Sequence, residues 1–279
     1  MREILRVNMG TGAITREPVP AAWARYGGRA LTSAIIFKEV PADADPLGPD
    51  NKLVVAPGLL GGTAAPNGGR LSIGAKSPLT GGIKESNSGG TAAHALGKMG
   101  IAAIIIEGVP SDKTVAYALR LFPDGKVDLV PRHDLKGLGT YETVAVAKGI
   151  EAAEHRYSEK VSFIVNGPAG EMGMKSAGIA VTDPHGYPNR FAGRGGLGAV
   201  MGSKGLKLIA IFEEGLAGKE HADKDAFIAA VRKFSGALTT HAVTSQALPT
   251  YGTNVLANII NEAGGYPTRN FSSGQFEGV

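Results

Sequence analysis

The period of apolar positions changes several times along the chain, and each change predicts an element. Arg2–Val7 and Ala13–Pro18 alternate on either side of Met9-Gly10-Thr11-Gly12, which predicts a β-hairpin. From Pro20 to Val40 the spacing becomes helical, with Trp23, Tyr26, Leu31, Ile35 and Ile36 as the expected inner face. Gly27-Gly28 interrupts that helix. Short strands are expected at Leu53–Ala56 and Leu71–Ala75. A helix is expected from Ser88 to Met99, entered through Asn87 and Ser88 as N-caps. Ile101–Glu107 is a continuous apolar run of the kind buried on both faces of a sheet. Thr114–Phe122 and Lys126–Pro131 flank Pro123-Asp124-Gly125, a hairpin signal. An amphipathic helix is expected from Thr140 to Glu154, then strands at Val161–Asn166, Ala177–Val181 and Leu206–Phe212.

Beyond Phe212 the strand pattern ends, and Asp223–Thr240 and Val255–Glu262 read as helical. The expected organisation is one domain over 1–212 and the beginning of a helical domain over 213–279. Strands mixed with helices, without regular βαβ spacing, predict an α+β fold with antiparallel-rich sheets.

Composition narrows the chemistry. The 279 residues contain no cysteine, which excludes a disulfide, a Cys-ligated iron–sulfur cluster and a Zn(Cys)₄ site within this chain. A net charge of +4 with scattered basic residues favours a small anionic ligand over nucleic acid. No stretch of about 20 apolar residues predicts a membrane span, and the N-terminus lacks a signal-peptide pattern, so a cytoplasmic protein is expected. Glycine, at 41 residues, is roughly twice its ordinary share and gathers in discrete loops.

Three of those loops could close on a ligand. They are Gly61–Arg70, Asn87-Ser88-Gly89-Gly90, and Asn189–Gly198. All are rich in glycine, so backbone N–H groups can approach an anion, and Arg70, Arg190 and Arg194 add forked donors. The second was expected to add helix-terminal N–H groups. A faint echo pairs Gly69-Arg70 and the following Gly74-Ala75-Lys76-Ser77 with Gly193-Arg194 and Gly202-Ser203-Lys204.

Two nucleotide motifs fail on context. Gly193-Arg194-Gly195-Gly196-Leu197-Gly198 fits G-x-G-x-x-G, but only seven residues separate Gly198 from the strand at Leu206, room for two helical turns at most. Gly69–Ser77 is one residue off a Walker A loop, and its Leu71–Ile73 reads as strand. The six histidines, His94, His133, His155, His185, His221 and His241, are dispersed and form no metal-ligand pair. Asp43, Asp45 and Asp50 read as solvated turn residues. No nucleophile elbow is present.

Four runs resemble the aldehyde ferredoxin oxidoreductase family. They are Ala65-Pro66-Asn67-Gly68-Gly69-Arg70 with Lys76-Ser77-Pro78-Leu79-Thr80-Gly81, then Ser86–Gly90, then Asn166-Gly167-Pro168-Ala169-Gly170-Glu171, then Ala192–Lys204. Tyr251-Gly252-Thr253 and Pro267-Thr268-Arg269-Asn270-Phe271 extend the resemblance almost to the last residue. It implies an N-terminal domain of two β-sheets that clasps a tungsten or molybdenum bis-pterin. It implies cofactor contacts at Arg70, Asn87, Gly89, Arg190, Phe191 and Gly193; Ser88, Gly90 and Ala192 of the same loops join them as candidates, and Arg194 is added on its chemistry. The backbone carbonyls of Asn87 and Phe191 are expected to hold Mg²⁺ between the pterin phosphates. No catalytic residue is assigned within this chain.

The implied reaction is oxidation of an aldehyde to a carboxylic acid, with electrons passed through a [4Fe–4S] cluster to ferredoxin. The family's cluster cysteines and acid/base residues lie in later helical domains. The expectation is therefore a fragment, split subunit or truncated frame, inactive without a Cys-containing C-terminal polypeptide. A homo-oligomer stays open. The alternative is a non-catalytic module for a metallopterin or a nucleotide phosphate.

Overall fold

The computed structural model describes residues 2–153 and 160–278. Glu154 and His155 lie outside them. The chain divides into two compact units, Met1–Glu220 and His221–Val279.

The first unit begins with β1 (Glu3–Asn8) and β2 (Ile14–Pro18), then α1 (Gly28–Glu39), β3 (Leu53–Pro57), β4 (Leu71–Lys76), β5 (Ile83–Ser88), α2 (Ala92–Lys98) and β6 (Ile101–Glu107). It continues with β7 (Tyr117–Leu121), β8 (Val127–Pro131), α3 (Thr140–Ala153), β9 (Val161–Asn166), α4 (Pro168–Glu171), β10 (Ile179–Val181), β11 (Arg190–Ala192), α5 (Leu197–Ser203) and β12 (Leu206–Phe212). The strands form two six-stranded sheets, ordered β2-β1-β6-β3-β4-β5 and β8-β7-β12-β9-β10-β11. Each sheet has one parallel pair, β1/β6 or β7/β12, and is otherwise antiparallel. The expected α+β class with antiparallel-rich sheets is what the chain forms.

Adding six to each strand number turns the first order into the second, so the unit is a structural duplication. The ladders fix its register. Pro57, Leu71 and Ser88 form one row of the first sheet, and Asn166, Ile179 and Ala192 form the matching row of the second. One row further on, Ala56, Ser72 and Asn87 match Val165, Ala180 and Phe191. The duplication therefore pairs Ser88-Gly89 with Ala192-Gly193. This register differs from the echo between Gly69-Arg70 and Gly193-Arg194, since Arg70 precedes a strand whereas Arg194 precedes a helix.

Alternation along each strand places the core. Leu5, Val7, Ile104 and Ile106 of the first sheet and Ile164, Ile209 and Ile211 of the second bury in one shared layer with α2 and α5. On the outer faces, Ile4, Ala103 and Ile105 pack under α1, and Leu208, Ala210 and Phe212 pack with Val144 and Ala147 of α3. β6 is thus buried on both faces, which explains its unbroken apolar run from Ile101 to Ile106. The central helices carry mostly small apolar residues for the same reason, with His94 and Lys98 forming a polar face on α2.

Close packing of those helices rests on glycine. Gly97 of α2 and Gly202 of α5 hold the sixth position of their helices. A Cβ on Gly97 would lie 2.1 Å from the Gly61 carbonyl oxygen, and one on Gly202 would lie 2.0 Å from that of Gly170. Gly61 and Gly170 stand at matching places after β3 and β9, so the same backbone contact occurs twice.

Several elements differ from expectation. The expected long first helix is a short 3-10 turn at Ala21–Trp23 followed by α1, with the break at Gly27-Gly28. Tyr26 is exposed there, beside that break, and leaves the expected inner face. The expected helix from Ser88 is strand β5 through Ser88, and α2 begins four residues later with Thr91 at its N-cap. Asn87 and Ser88 pair with Ser72 and Leu71 and so cap nothing. The 41–51 loop carries exposed Asp43, Asp45 and Asp50 but is pinned from below. Buried Lys76 donates to the carbonyls of Ala42 and Ala44, and buried Lys204 donates to those of Gly48 (2.9 Å) and Asn51 (2.6 Å). Burial, with Lys52 nearby, lowers the Lys204 ammonium to about 8.

The second unit opens with α6 (Lys224–Thr240), whose N-cap Asp223 accepts from the Ala226 N–H at 2.9 Å. Two short helices follow, α7 (Leu248–Tyr251) and α8 (Ala257–Glu262). Asn261 closes the unit on itself, donating to the Phe276 carbonyl and accepting from its N–H. Leu256, Ile259 and Ile260 are exposed, Ile259 at 66%.

Two outcomes test this packing. Gly97→Ala drives a Cβ into backbone and should cost about 2–3 kcal/mol. Gly149→Ala, in the exposed middle of α3 with nothing nearby, should gain up to about 1 kcal/mol. Thermal unfolding reads both, and equal effects would sink the account.

The second test uses an ion-pair network. Arg6 meets Glu17, Glu39 and Glu107 at 2.7, 2.9 and 3.0 Å, and Lys52 joins Glu39 and Glu107. Burial alone raises the two shared carboxyls, Glu39 and Glu107, but hydrogen bonds and charge from Arg6 and Lys52 hold both below the ordinary 4.5. Their contribution is therefore complete above that value and is lost as pH falls through the depressed folded values. Glu107→Gln should lower stability at neutral pH and flatten its decline below pH 4.5. An acid limb as steep as the wild type's would contradict the network's role.

Candidate functional site

The last strand of each sheet, β5 or β11, ends beside the other. The Arg194 N–H donates to Ser86 Oγ at 3.1 Å, and Ser77 Oγ donates to the Gly195 carbonyl at 2.6 Å. A cleft of about 810 Å³ opens over this junction. Arg29 and Ser33 of α1 form one wall, residues 83–87 of β5 the floor, and Phe191, Gly193 and Arg194 the other wall.

Glycine shapes the cleft where strand turns into central helix. Gly195 has φ +82°, and a Cβ on it would lie 2.3 Å from Lys84 Cγ. Gly196, the N-cap of α5, has φ +72°, and a Cβ there would strike the Lys175 carbonyl at 2.1 Å. Both positions reject an L side chain on conformation as well as space. Three cations, Arg29, Lys84 and Arg194, face one carboxylate, Glu85, around the opening.

Of the ten residues singled out from the sequence, Asn87, Phe191, Gly193 and Arg194 line this cleft. Arg70 reaches it through Asn87, donating from Nε to Oδ1. Gly89 sits against Arg70, where a Cβ would lie 3.4 Å from Nη1. The remaining residues stand differently. Ser88 is buried and its hydroxyl donates to the Gly89 carbonyl. Ala192 is buried in the shared core. Gly90, at φ +104°, lies against the Thr182 carbonyl. Alternation puts exposed Arg190 on the face of β11 opposite Phe191. The helix-terminal N–H groups expected at Asn87 and Ser88 are replaced by strand pairing.

Sequence reasoning passed over Arg29, Ser33, Lys84 and Glu85, and met Ser86 only as part of a resembling run. Ile83–Ser88 reads Ile-Lys-Glu-Ser-Asn-Ser, an edge strand with too few apolar residues to show a period. The G-x-G-x-x-G run does follow a strand, β11, but that strand is antiparallel to β10 and the helix after it is seven residues long. The dinucleotide reading fails on topology as well as on spacing. Among the described residues no three His, Asp or Glu side chains gather to hold a metal, and no helix is long and apolar enough to cross a membrane.

The first unit is a duplicated pair of sheets with a basic, glycine-shaped cleft at their meeting edges. Comparison with known proteins is specific. Residues 4–213 match the model of the aldehyde ferredoxin oxidoreductase N-terminal domain, and residues 229–279 match that of the family's domains 2 and 3. The chain belongs to the aldehyde ferredoxin oxidoreductase family. It is 43% identical over 275 residues to the tungsten-containing aldehyde ferredoxin oxidoreductase of Thermococcus kodakarensis, covering 98% of this chain and 43% of that protein. The corresponding protein of Pyrococcus furiosus is 41% identical, with the same coverage of 98% and 43%. A solved active-site complex, BamBC of benzoyl coenzyme A reductase bound to 1,5-dienoyl-CoA, contains a chain similar over 85% of this one and 34% of that one, at TM-score 0.75 and 28% identity. The chain thus spans less than half the length of these relatives.

The junction itself is testable. Ser77 is fully buried, and its hydroxyl also accepts from the N–H groups of Leu79 and Thr80 at 3.1 Å each. Ser77→Ala strands those groups and the Gly195 carbonyl, and should cost about 2 kcal/mol. Amide exchange should accelerate around Gly195, read by hydrogen–deuterium exchange. Unchanged protection there would contradict the anchoring role.

Proposed function

We propose that this chain is the cofactor-seating part of a tungsten or molybdenum bis-pterin oxidoreductase that converts aldehydes to carboxylic acids and passes electrons to ferredoxin. The observation that carries this reading is the matched placement of Asn87 and Phe191, one in each half of the duplication, at the same cleft. A ligand made of two similar pterins with phosphate ends suits such a seat. The relatives support the metal and the substrate class by their names.

The donor set fits that group. Arg70 and Arg194 offer guanidinium donors on exposed loops, and Gly89 and Gly193 leave the backbone bare beside them. Backbone carbonyls at Asn87 and Phe191 are suitable oxygens for a Mg²⁺ that also takes phosphate oxygens. Arg70 is held by Asn87, so the charge donor and the proposed cation ligand move together. When bound, the metallopterin would supply the two-electron oxidation, and these residues would fix its position.

With no cysteine in the sequence, the [4Fe–4S] relay of the proposed reaction belongs to another polypeptide segment. Aldehyde-dependent viologen reduction is expected once a Cys-containing C-terminal polypeptide is supplied. Tungsten and molybdenum in purified chain, measured by mass spectrometry with the fluorescence of released oxidised pterin, test the reading directly. Arg70→Ala should lower pterin retention by a charge-assisted contact, about 1.5–3 kcal/mol. Metal-free, pterin-free wild-type protein from tungsten-replete cells would count against it.

A further inference from the structure

We propose that Arg29 and Lys84 are anion ligands of the cleft and, with Arg194, form a cationic arm for the phosphate end of the bound group. This rests on reading the cleft as the seat of a phosphate-ended cofactor, and it adds two residues from outside the glycine loops.

The geometry of Arg29 is that of a side chain held ready. Its Nε donates to Glu85 Oε2 at 3.1 Å, and the Glu85 side chain is 8% exposed whereas that of Arg29 is 76% exposed. The carboxylate is thus fixed within the fold and engages the inner edge of the guanidinium. Among the described residues the two terminal nitrogens of Arg29 hydrogen-bond to nothing. They form the planar fork that matches phosphate oxygens.

Lys84 is held by different means. Its alkyl chain lies over Gly195, where a Cβ would meet Cγ, Cδ and Cε at 2.3, 3.0 and 3.0 Å. The absence of a side chain at Gly195 is what lets the chain pass. Confinement against that backbone lowers the entropy lost when the ammonium engages a ligand. The ammonium has no hydrogen-bond partner among the described residues, although Lys84 lines the cleft.

Charge balance points the same way. Three cations share the cleft with one carboxylate, and that carboxylate is engaged with Arg29. Like charges in a partly enclosed space repel, and a di-anionic group between them relieves the repulsion. Arg29 comes from α1, Lys84 from β5 and Arg194 from the segment after β11, so cations line the cleft from three separate parts of the chain.

The test uses inorganic pyrophosphate with Mg²⁺ as probe, titrated calorimetrically into the full chain after removal of any bound pterin. Arg29→Gln and Lys84→Met should each weaken binding roughly tenfold or more. Lys38→Met, which removes an exposed charge of α1 that is not among the cleft residues, should bind as the wild type does. Thermal unfolding of each variant separates lost binding from lost fold. Variants at 29 and 84 that bind as tightly as Lys38→Met would overturn the proposal, and so would a wild-type chain that binds no pyrophosphate. Pterin content of the unstripped protein is read in parallel. A chain that binds pyrophosphate through Arg29 and Lys84 but never retains pterin leaves this inference standing and removes the cofactor reading.

Discussion

The first unit depends on keeping its middle layer thin. Two sheets share one core, and α2 and α5 lie within it, so each helix must pack on both sides at once. Ala92, Ala93, Ala95 and Gly97 in one helix and Gly198, Ala199 and Gly202 in the other meet that demand with the smallest side chains available. Where the helices cross the loops after β3 and β9, even a methyl group would enter the backbone. The same constraint forces left-handed glycines where β11 turns into α5. A loop made bare to let a helix enter the core is also bare toward a ligand. The cleft is in that sense a by-product of the packing that the core requires.

The duplication gives the cleft a matched backbone and unmatched side chains. Asn87 and Phe191 occupy equivalent rows, but one is an amide that orders Arg70 and the other is an aromatic ring at the cleft wall. Arg70 stands just before β4, and Gly178 holds the corresponding place before β10, in contact range of Gly193. Charge therefore enters by different routes: from Arg70 through Asn87 in the first half, and from Arg194 after β11 in the second. Two of the buried lysines show the same economy, because Lys76 and Lys204 come from different halves and both satisfy carbonyls of the single 41–51 loop.

The sequence by itself determined the strong elements of this protein. Ile101–Glu107 announces itself as a doubly buried strand, because burial on both faces leaves no polar residue before Glu107 to break the run, and Leu206–Phe212 reads as a strand despite Lys207. The absence of cysteine excluded a disulfide and a Cys-ligated cluster within the chain, and the glycine-arginine loops marked the region of the cleft. Tertiary structure decided what has no local signature. β5 is polar and is a strand because β4 offers it a ladder, so Asn87 and Ser88 became sheet residues and not helix caps. Arg29 belongs to the cleft because α1 crosses β5, a contact between residues 56 apart in the chain. Lys84 belongs to it because Gly195 leaves room across the junction of the two sheets. Local propensity reports the burial a segment needs, whereas a polar edge strand and a charged wall take their places from partners that lie far away along the chain.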